Sequence, residues 1–232
     1  MKSKHLSSLK SAILGSSLLV AGVMALSAPA QAFTVTIDPQ YGSTENTGSS
    51  AFLDFNFVQQ NTNTVLNLLI KNTSSVTSTL VGVGFDTPGG ISQSSYNSLG
   101  SAFVQLFNDV SLSPYGSFDI GIRSAGSGGF GGGNPQAGLT NGQSATVSFT
   151  FNNQNASSLE SSFLSLFSQP GSVVGRFQQV GANREGSDKV LGQAETAAVP
   201  EPTTMAGLAL AGAGLAAARR RKAAKEAAMK AS

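Results

Sequence analysis

Five stretches of the chain alternate apolar and polar residues with a period of two, and this pattern constrains the fold more than any other feature. Leu53, Phe55 and Phe57 alternate with Asp54 and Asn56. Leu66, Leu68 and Ile70 alternate with Asn67 and Lys71, and Val81, Val83 and Phe85 with Gly82 and Gly84. Phe118, Ile120 and Ile122 lie between Ser117, Asp119, Gly121 and Arg123, while Val147, Phe149 and Phe151 lie between Thr146, Ser148 and Thr150. Successive side chains of a strand point to opposite faces, so each stretch has one face to bury. Val173 to Val180 is a less regular sixth strand, and Phe33 to Ile37 is a short first one. Turn residues separate them: Asn72 to Ser75, Pro88-Gly89-Gly90, Pro114-Tyr115-Gly116 and Asn141-Gly142. One-sided strands joined by turns predict a mainly β fold, an antiparallel β-sandwich.

All 14 Phe and 3 Tyr residues fall between Phe33 and Phe177, so one core is expected in the span 33–198. The chain of 232 residues has no cysteine, and a domain of this size needs no disulfide. One or two short helices accompany the strands. Leu159, Phe163, Leu166 and Phe167 recur at helical spacing within Asn155 to Ser168, with Ser157 and Glu160 as a capping box and Pro170 as a stop. This helix is expected on an open end of the sandwich. Ser92 to Val110 is ambiguous: Tyr96, Leu99, Phe103, Leu106 and Phe107 fit a helix, but Gly100 interrupts it.

The ends differ from the middle in charge. Residues 1–32 carry +3, residues 33–199 carry −5 and residues 200–232 carry +4, within a total of +2. The basicity lies in the two ends, so the pI of about 9.0 does not mark a nucleic-acid binder. Residues 1–32 read as a signal peptide. Lys2, Lys4 and Lys10 precede an apolar run from Ala12 to Leu26, and Ala30-Gln31-Ala32 supplies the small residues of a cleavage site. Cleavage after Ala32 is expected; Ala28-Pro29-Ala30 offers a second frame after Ala30. The expected partners here are the Sec export machinery and signal peptidase.

At the other end, Val199-Pro200-Glu201-Pro202 precedes a small, apolar run from Met205 to Ala218, closed by Arg219, Arg220, Arg221 and Lys222. An apolar run closed by cations is a stop-transfer pattern that leaves everything before it exported. These three features in this order resemble the PEP-CTERM sorting signal over 199–222, followed by a tail at 223–232. The resemblance implies an exosortase-type transpeptidase as partner, with Pro200, Glu201 and Pro202 as its sorting motif. It also implies residues 205–218 as a transmembrane helix that anchors transiently in the membrane and Arg219 to Lys222 as the retention cluster. The run of 14 residues spans about 21 Å, less than a hydrocarbon core of about 30 Å. The stretches Leu66 to Thr73, Leu80 to Asp86 and Arg176 to Lys189 are similar to the β-rich domains that precede such signals.

Catalytic chemistry is sparse. His5, the single histidine, leaves with the signal, so a Ser-His-Asp triad, a Cys-His dyad and an imidazole-bound metal are all excluded from the mature chain. Gly126-Ser127-Gly128-Gly129-Phe130-Gly131 matches G-x-G-x-x-G. Gly132, Gly133, Asn134 and Pro135 follow it where a dinucleotide site needs a helix, so a glycine loop is expected instead. Asp54, Asp86, Asp109, Asp119, Glu185 and Asp188 lack any spacing signature for a glycosidase pair or a calcium site. Asp54 and Asp119 are expected on solvated strand faces, and Asp86 and Asp188 in Asx turns. Tyr41, Tyr96 and Tyr115 on a hydroxyl- and amide-rich surface would suit neutral sugars.

The sequence thus predicts an exported, non-enzymatic protein with no cofactor, no metal and no nucleic-acid partner. Its expected place is the cell envelope, cell surface or extracellular matrix, associated with exopolysaccharide or biofilm. The alternatives are a carbohydrate- or calcium-binding surface module and, remotely, an envelope glycosidase using two carboxylates.

Overall fold

The computed structural model describes residues 31–89 and 91–195. Among these, 11 antiparallel strands form a single hydrogen-bonded sheet. They are β1 (Gln31–Ile37), β2 (Ala51–Gln60), β3 (Asn63–Asn72), β4 (Thr79–Phe85), β5 (Ser95–Asn97) and β6 (Gln105–Ser111). The rest are β7 (Ser117–Arg123), β8 (Leu139–Thr140), β9 (Ser144–Phe151), β10 (Val173–Val180) and β11 (Gly186–Ala194). The path runs β5-β9-β3-β2-β1-β11-β10-β4-β7-β6, with β8 attached to β4. Its two end strands follow one another in the chain, so the sheet wraps round and nearly closes. Gln93, just before β5, donates to Asn108 Oδ1 in β6 at 2.6 Å across the seam.

The expected sandwich is therefore one continuous sheet whose halves face each other across a common core. β11 makes the continuity: it pairs with β10 from Gly186 to Leu191 and with β1 from Gly192 to Ala194. Gly192 sits at the changeover, where a Cβ would lie 2.9 Å from Ile37 Cγ1. Period-two alternation does not reveal this strand, because Gly186-Ser187-Asp188-Lys189 opens it with polar residues.

The alternation seen in the sequence appears as burial. β2 alternates buried and half-buried residues from Ala51 to Val58, and β3 does the same from Asn63 to Ile70. β4 departs from it, being buried along its whole length. Its inner side chains, Leu80, Val83 and Phe85, join the main core, while its outer side is covered by a second, smaller cluster.

One α-helix, α1 (Ala156–Phe167), caps the main core. Phe163 and Phe167 meet Phe55 at ring-centroid distances of 6.4 and 5.3 Å, and Phe33 stacks on Phe55 at 5.2 Å. Fully burying such a ring contributes roughly 1.5–3 kcal/mol, which outweighs the modest helix propensity of the helix's serines. The cap is Asn155, whose side chain accepts from the Ser158 amide, and not the expected Ser157–Glu160 box. Ser92 to Val110 forms β5, a connection and β6 in place of a helix. Tyr96 lies on β5 against Phe149, and Gly100 at φ +73 turns the chain between the strands. Among the described residues no helix is long and apolar enough to cross a membrane; the expected membrane segment at 205–218 lies outside them.

Candidate functional site

The outer face of β4 and β7 is built round absent side chains. Gly82, Gly84 and Gly121 leave a trough into which Phe130 of the glycine loop inserts. A Cβ at Gly121 would lie 2.7 Å from the Phe130 ring and 2.8 Å from Val110. Phe130, Val110, Leu112, Phe118, Val174 and Leu191 form the second cluster, flanked by Tyr41, Phe107 and Tyr115.

Beside this trough lies Arg123, 1% exposed. Its Nη2 donates to the carbonyls of Gly126 at 3.0 Å and Gly128 at 2.8 Å, and its Nη1 to that of Ser127 at 3.2 Å. Its guanidinium carbon stands 5.0 Å from the centroid of the Phe107 ring, a cation–π contact. Gln105 donates to Gly126 O, and Arg176 and Gln178 both donate to Gly132 O. The loop thus turns its carbonyls onto the protein's own cations. A phosphate-binding loop presents amides to its ligand. This is the physical reason the G-x-G-x-x-G match is not a dinucleotide site. Burial holds Arg123 and Arg176 below the ordinary guanidinium pKa.

The second organised charge is Asp188 on β11, also 1% exposed. Its carboxylate accepts from the Ser43 hydroxyl at 2.8 Å on both oxygens. It also accepts from the Thr44 and Thr47 hydroxyls at 3.0 and 2.7 Å, and from the amides of Thr44, Glu45 and Thr47. Burial by itself would raise this carboxyl's pKa. The donors of Thr47, Ser43 and Thr44 outweigh that and hold it below the ordinary value. Asp188 therefore folds the 43–47 segment onto the last strand, a larger role than the Asx turn expected.

Among the remaining acidic candidates, Asp86 and Asp119 lie close enough to interact. Asp119 accepts from the Thr87 amide and hydroxyl at 2.8 and 2.9 Å. It faces Asp86, whose pKa burial raises first and Asp119 raises further against a Ser172 hydrogen bond. Asp54 is raised by burial, so its strand face is less solvated than expected. Asp109 and Glu185 are exposed. Among the described residues no group of three or more His, Cys, Asp or Glu is placed to hold a metal. The tyrosines do not form one sugar-stacking platform: Tyr96 donates its phenol to Phe103 O and packs on Phe149, while Tyr41 and Tyr115 flank the outer cluster. An open cleft between Leu99–Ala102 and Gly142–Thr146 is lined by neutral groups.

The two ends of the described chain lie side by side. β1 runs antiparallel to the end of β11, with Val35 opposite Ala194, and the Glu195 amide donates to Thr34 O at 2.9 Å. Residues 198–222 match the PEP-CTERM protein-sorting motif. The chain carries a PEP-CTERM sorting signal. It marks an exported protein with a membrane-associated C-terminal signal, handled by export machinery and an exosortase. No curated protein and no solved structure matches the chain. Pro200, Glu201, Pro202, Arg219, Arg220, Arg221 and Lys222 all lie outside the described residues, as does Ala30. Ala32 lies inside β1, opposite Asn56. Glu195, the last described residue, lies at the pole at which β1 starts, and the matched motif begins three residues further along the chain.

Proposed function

We propose that this is a non-enzymatic surface protein whose β-domain is delivered to the envelope or extracellular matrix by exosortase processing at Pro200-Glu201-Pro202. The observation that carries the reading is the sorting motif at 198–222, directly after the last strand of the β-domain. Glu195 is five residues from Pro200, a reach of at most about 18 Å, so the transpeptidase works close against the β1/β11 pole. A short, Ala/Gly-rich run at 205–218 suits a transient membrane helix more than a permanent anchor. The N-terminal Lys2–Ala32 pattern supports Sec export and cleavage by signal peptidase. The absence of histidine and cysteine from 33–199 supports a structural or adhesive role, associated with exopolysaccharide or biofilm, over a catalytic one.

Intact-mass measurement of protein recovered from cells tests this. The surface form should lack Met205 to Ser232, and Glu201→Ala should leave precursor with its tail intact. Surface protein still ending at Ser232 overturns the processing. A hydrolase activity lost on Asp119→Asn would overturn the non-enzymatic role.

A further inference from the structure

Five basic residues serve the β-domain, Lys71, Arg123, Arg176, Arg184 and Lys189, against ten acidic ones. Three of the five stand on one cross-strand row. Register places Gln105 opposite Arg123, Arg123 opposite Gly82, Gly82 opposite Arg176, and Arg176 opposite Lys189. Residues directly opposite one another share a face, and this is the outer face that carries Phe130. Strands lie about 4.8 Å apart, so the row from Arg123 to Lys189 extends about 14 Å, with Gly82 as its gap.

The acceptors that hold these cations are backbone carbonyls: Gly126, Ser127 and Gly128 for Arg123, Gly132 for Arg176 and Ser113 for Lys189. A carbonyl dipole satisfies a donor without cancelling its charge. Arg176 and Lys189 are half-buried and open to a ligand, while buried Arg123 adds its field from beneath the loop.

We propose that Arg176 and Lys189, backed by Arg123, bind a linear polyanionic polysaccharide through its carboxylate or sulfate groups. Arg123 lies beneath the loop, so a ligand meets two adjacent cations about 4.8 Å apart on neighbouring strands, a spacing that engages successive anionic groups of one chain. Of the flanking rings, Phe107 is engaged by Arg123 and Phe130 by the glycine trough, while Tyr41 and Tyr115 stand at the edge of the cluster, so duplex DNA is one arm of the test. Lys189 lies five residues, about 17 Å, before Ala194 at the pole next to the sorting signal, which sets the row back from a membrane at that pole. The exported location supplies the ligand; the binding itself is a property of the row.

The test measures binding of the purified full chain to polygalacturonate and dextran sulfate, with neutral dextran as control. Both polyanions should bind, dextran should not, and added salt should weaken the complex. Preference between the two identifies the anionic group. Arg176→Gln/Lys189→Gln should weaken binding about tenfold with the β-sheet circular dichroism unchanged. Arg176→Lys/Lys189→Arg should retain it and guards against a folding defect. Neutralising Arg219 to Lys222 should leave binding intact. Binding that follows that cluster instead, that is unmoved by the double Gln variant, or that is stronger to duplex DNA or phosphatidylglycerol vesicles overturns the proposal. Because binding is read in vitro, its failure leaves exosortase processing standing, and failed processing leaves the row standing.

Discussion

Asp188 and Arg123 are opposite charges set to the same task. Each is 1% exposed, and each organises a neighbouring segment through uncharged groups, Asp188 by accepting from hydroxyls and amides and Arg123 by donating to carbonyls. They differ in completeness. Asp188 receives hydroxyl and amide donors on both oxygens, whereas Arg123 leaves its Nε buried without a partner. The surroundings differ too. Ser43, Thr44 and Thr47 are half-buried, so water reaches them poorly, while residues 125–129 of the glycine loop are exposed. An ion held by polar groups of a half-buried segment is harder to replace than one held by carbonyls that can turn to water.

That contrast sets an order of effects. Asp188→Ala removes the common acceptor of several donors and should cost about 3 kcal/mol in urea unfolding. It should also expose 43–47 to protease; a cost below that of Arg123→Met would break the comparison. Arg123→Met keeps an apolar stem but loses the cation–π contact with Phe107 and frees three carbonyls to water, with an expected loss of about 1–2 kcal/mol. Gly132→Ala pushes a Cβ into the guanidinium and toward Ser127 O, which stands 2.9 Å from that position. Its cost of about 1 kcal/mol should shrink in the Arg123→Met background, because the two changes meet at one contact.

The smallest effect is in acid, and its sign differs between carboxyls. Asp188 has a depressed folded pKa, so its stabilisation is complete above the unfolded value near 3.9 and is lost as pH falls through the folded one. Asp54 and Asp86 have raised folded values, so protonating them on the way down from neutral adds stability until about pH 3.9. Thermal unfolding across pH 2–7 should therefore show a shallow maximum near pH 4. Asp188→Asn should flatten the acid limb alone; an unchanged limb would show that other groups carry it.

Most strands are legible in the sequence: β2, β3, β4, β7 and β9 contain the period-two stretches, β1 and the less regular β10 contain the other two expected strands, and α1 falls within the expected segment. Periodicity reports a buried face, so it reveals an element only when that face is apolar. β11 opens with Gly186, Ser187, Asp188 and Lys189, and the inward side chain among them is a carboxylate. β5 and β6 alternate weakly, because they are the end strands of the sheet beside the seam. Asp188 itself reads as one acid among several, since its partners lie 141 to 145 residues away.

The local chemistry of the chain determined that residues 33–195 would be β-rich around one aromatic core, and that 198–222 would read as a sorting signal. Alternation, turn residues and an ordered apolar–basic segment are properties of neighbours along the chain. Only the tertiary structure decided that the sandwich is a single sheet, that a glycine loop solvates a buried arginine, and that Arg123, Arg176 and Lys189 share a row. Those outcomes depend on register between strands separated by tens of residues, and register is set by how the whole apolar set packs at once.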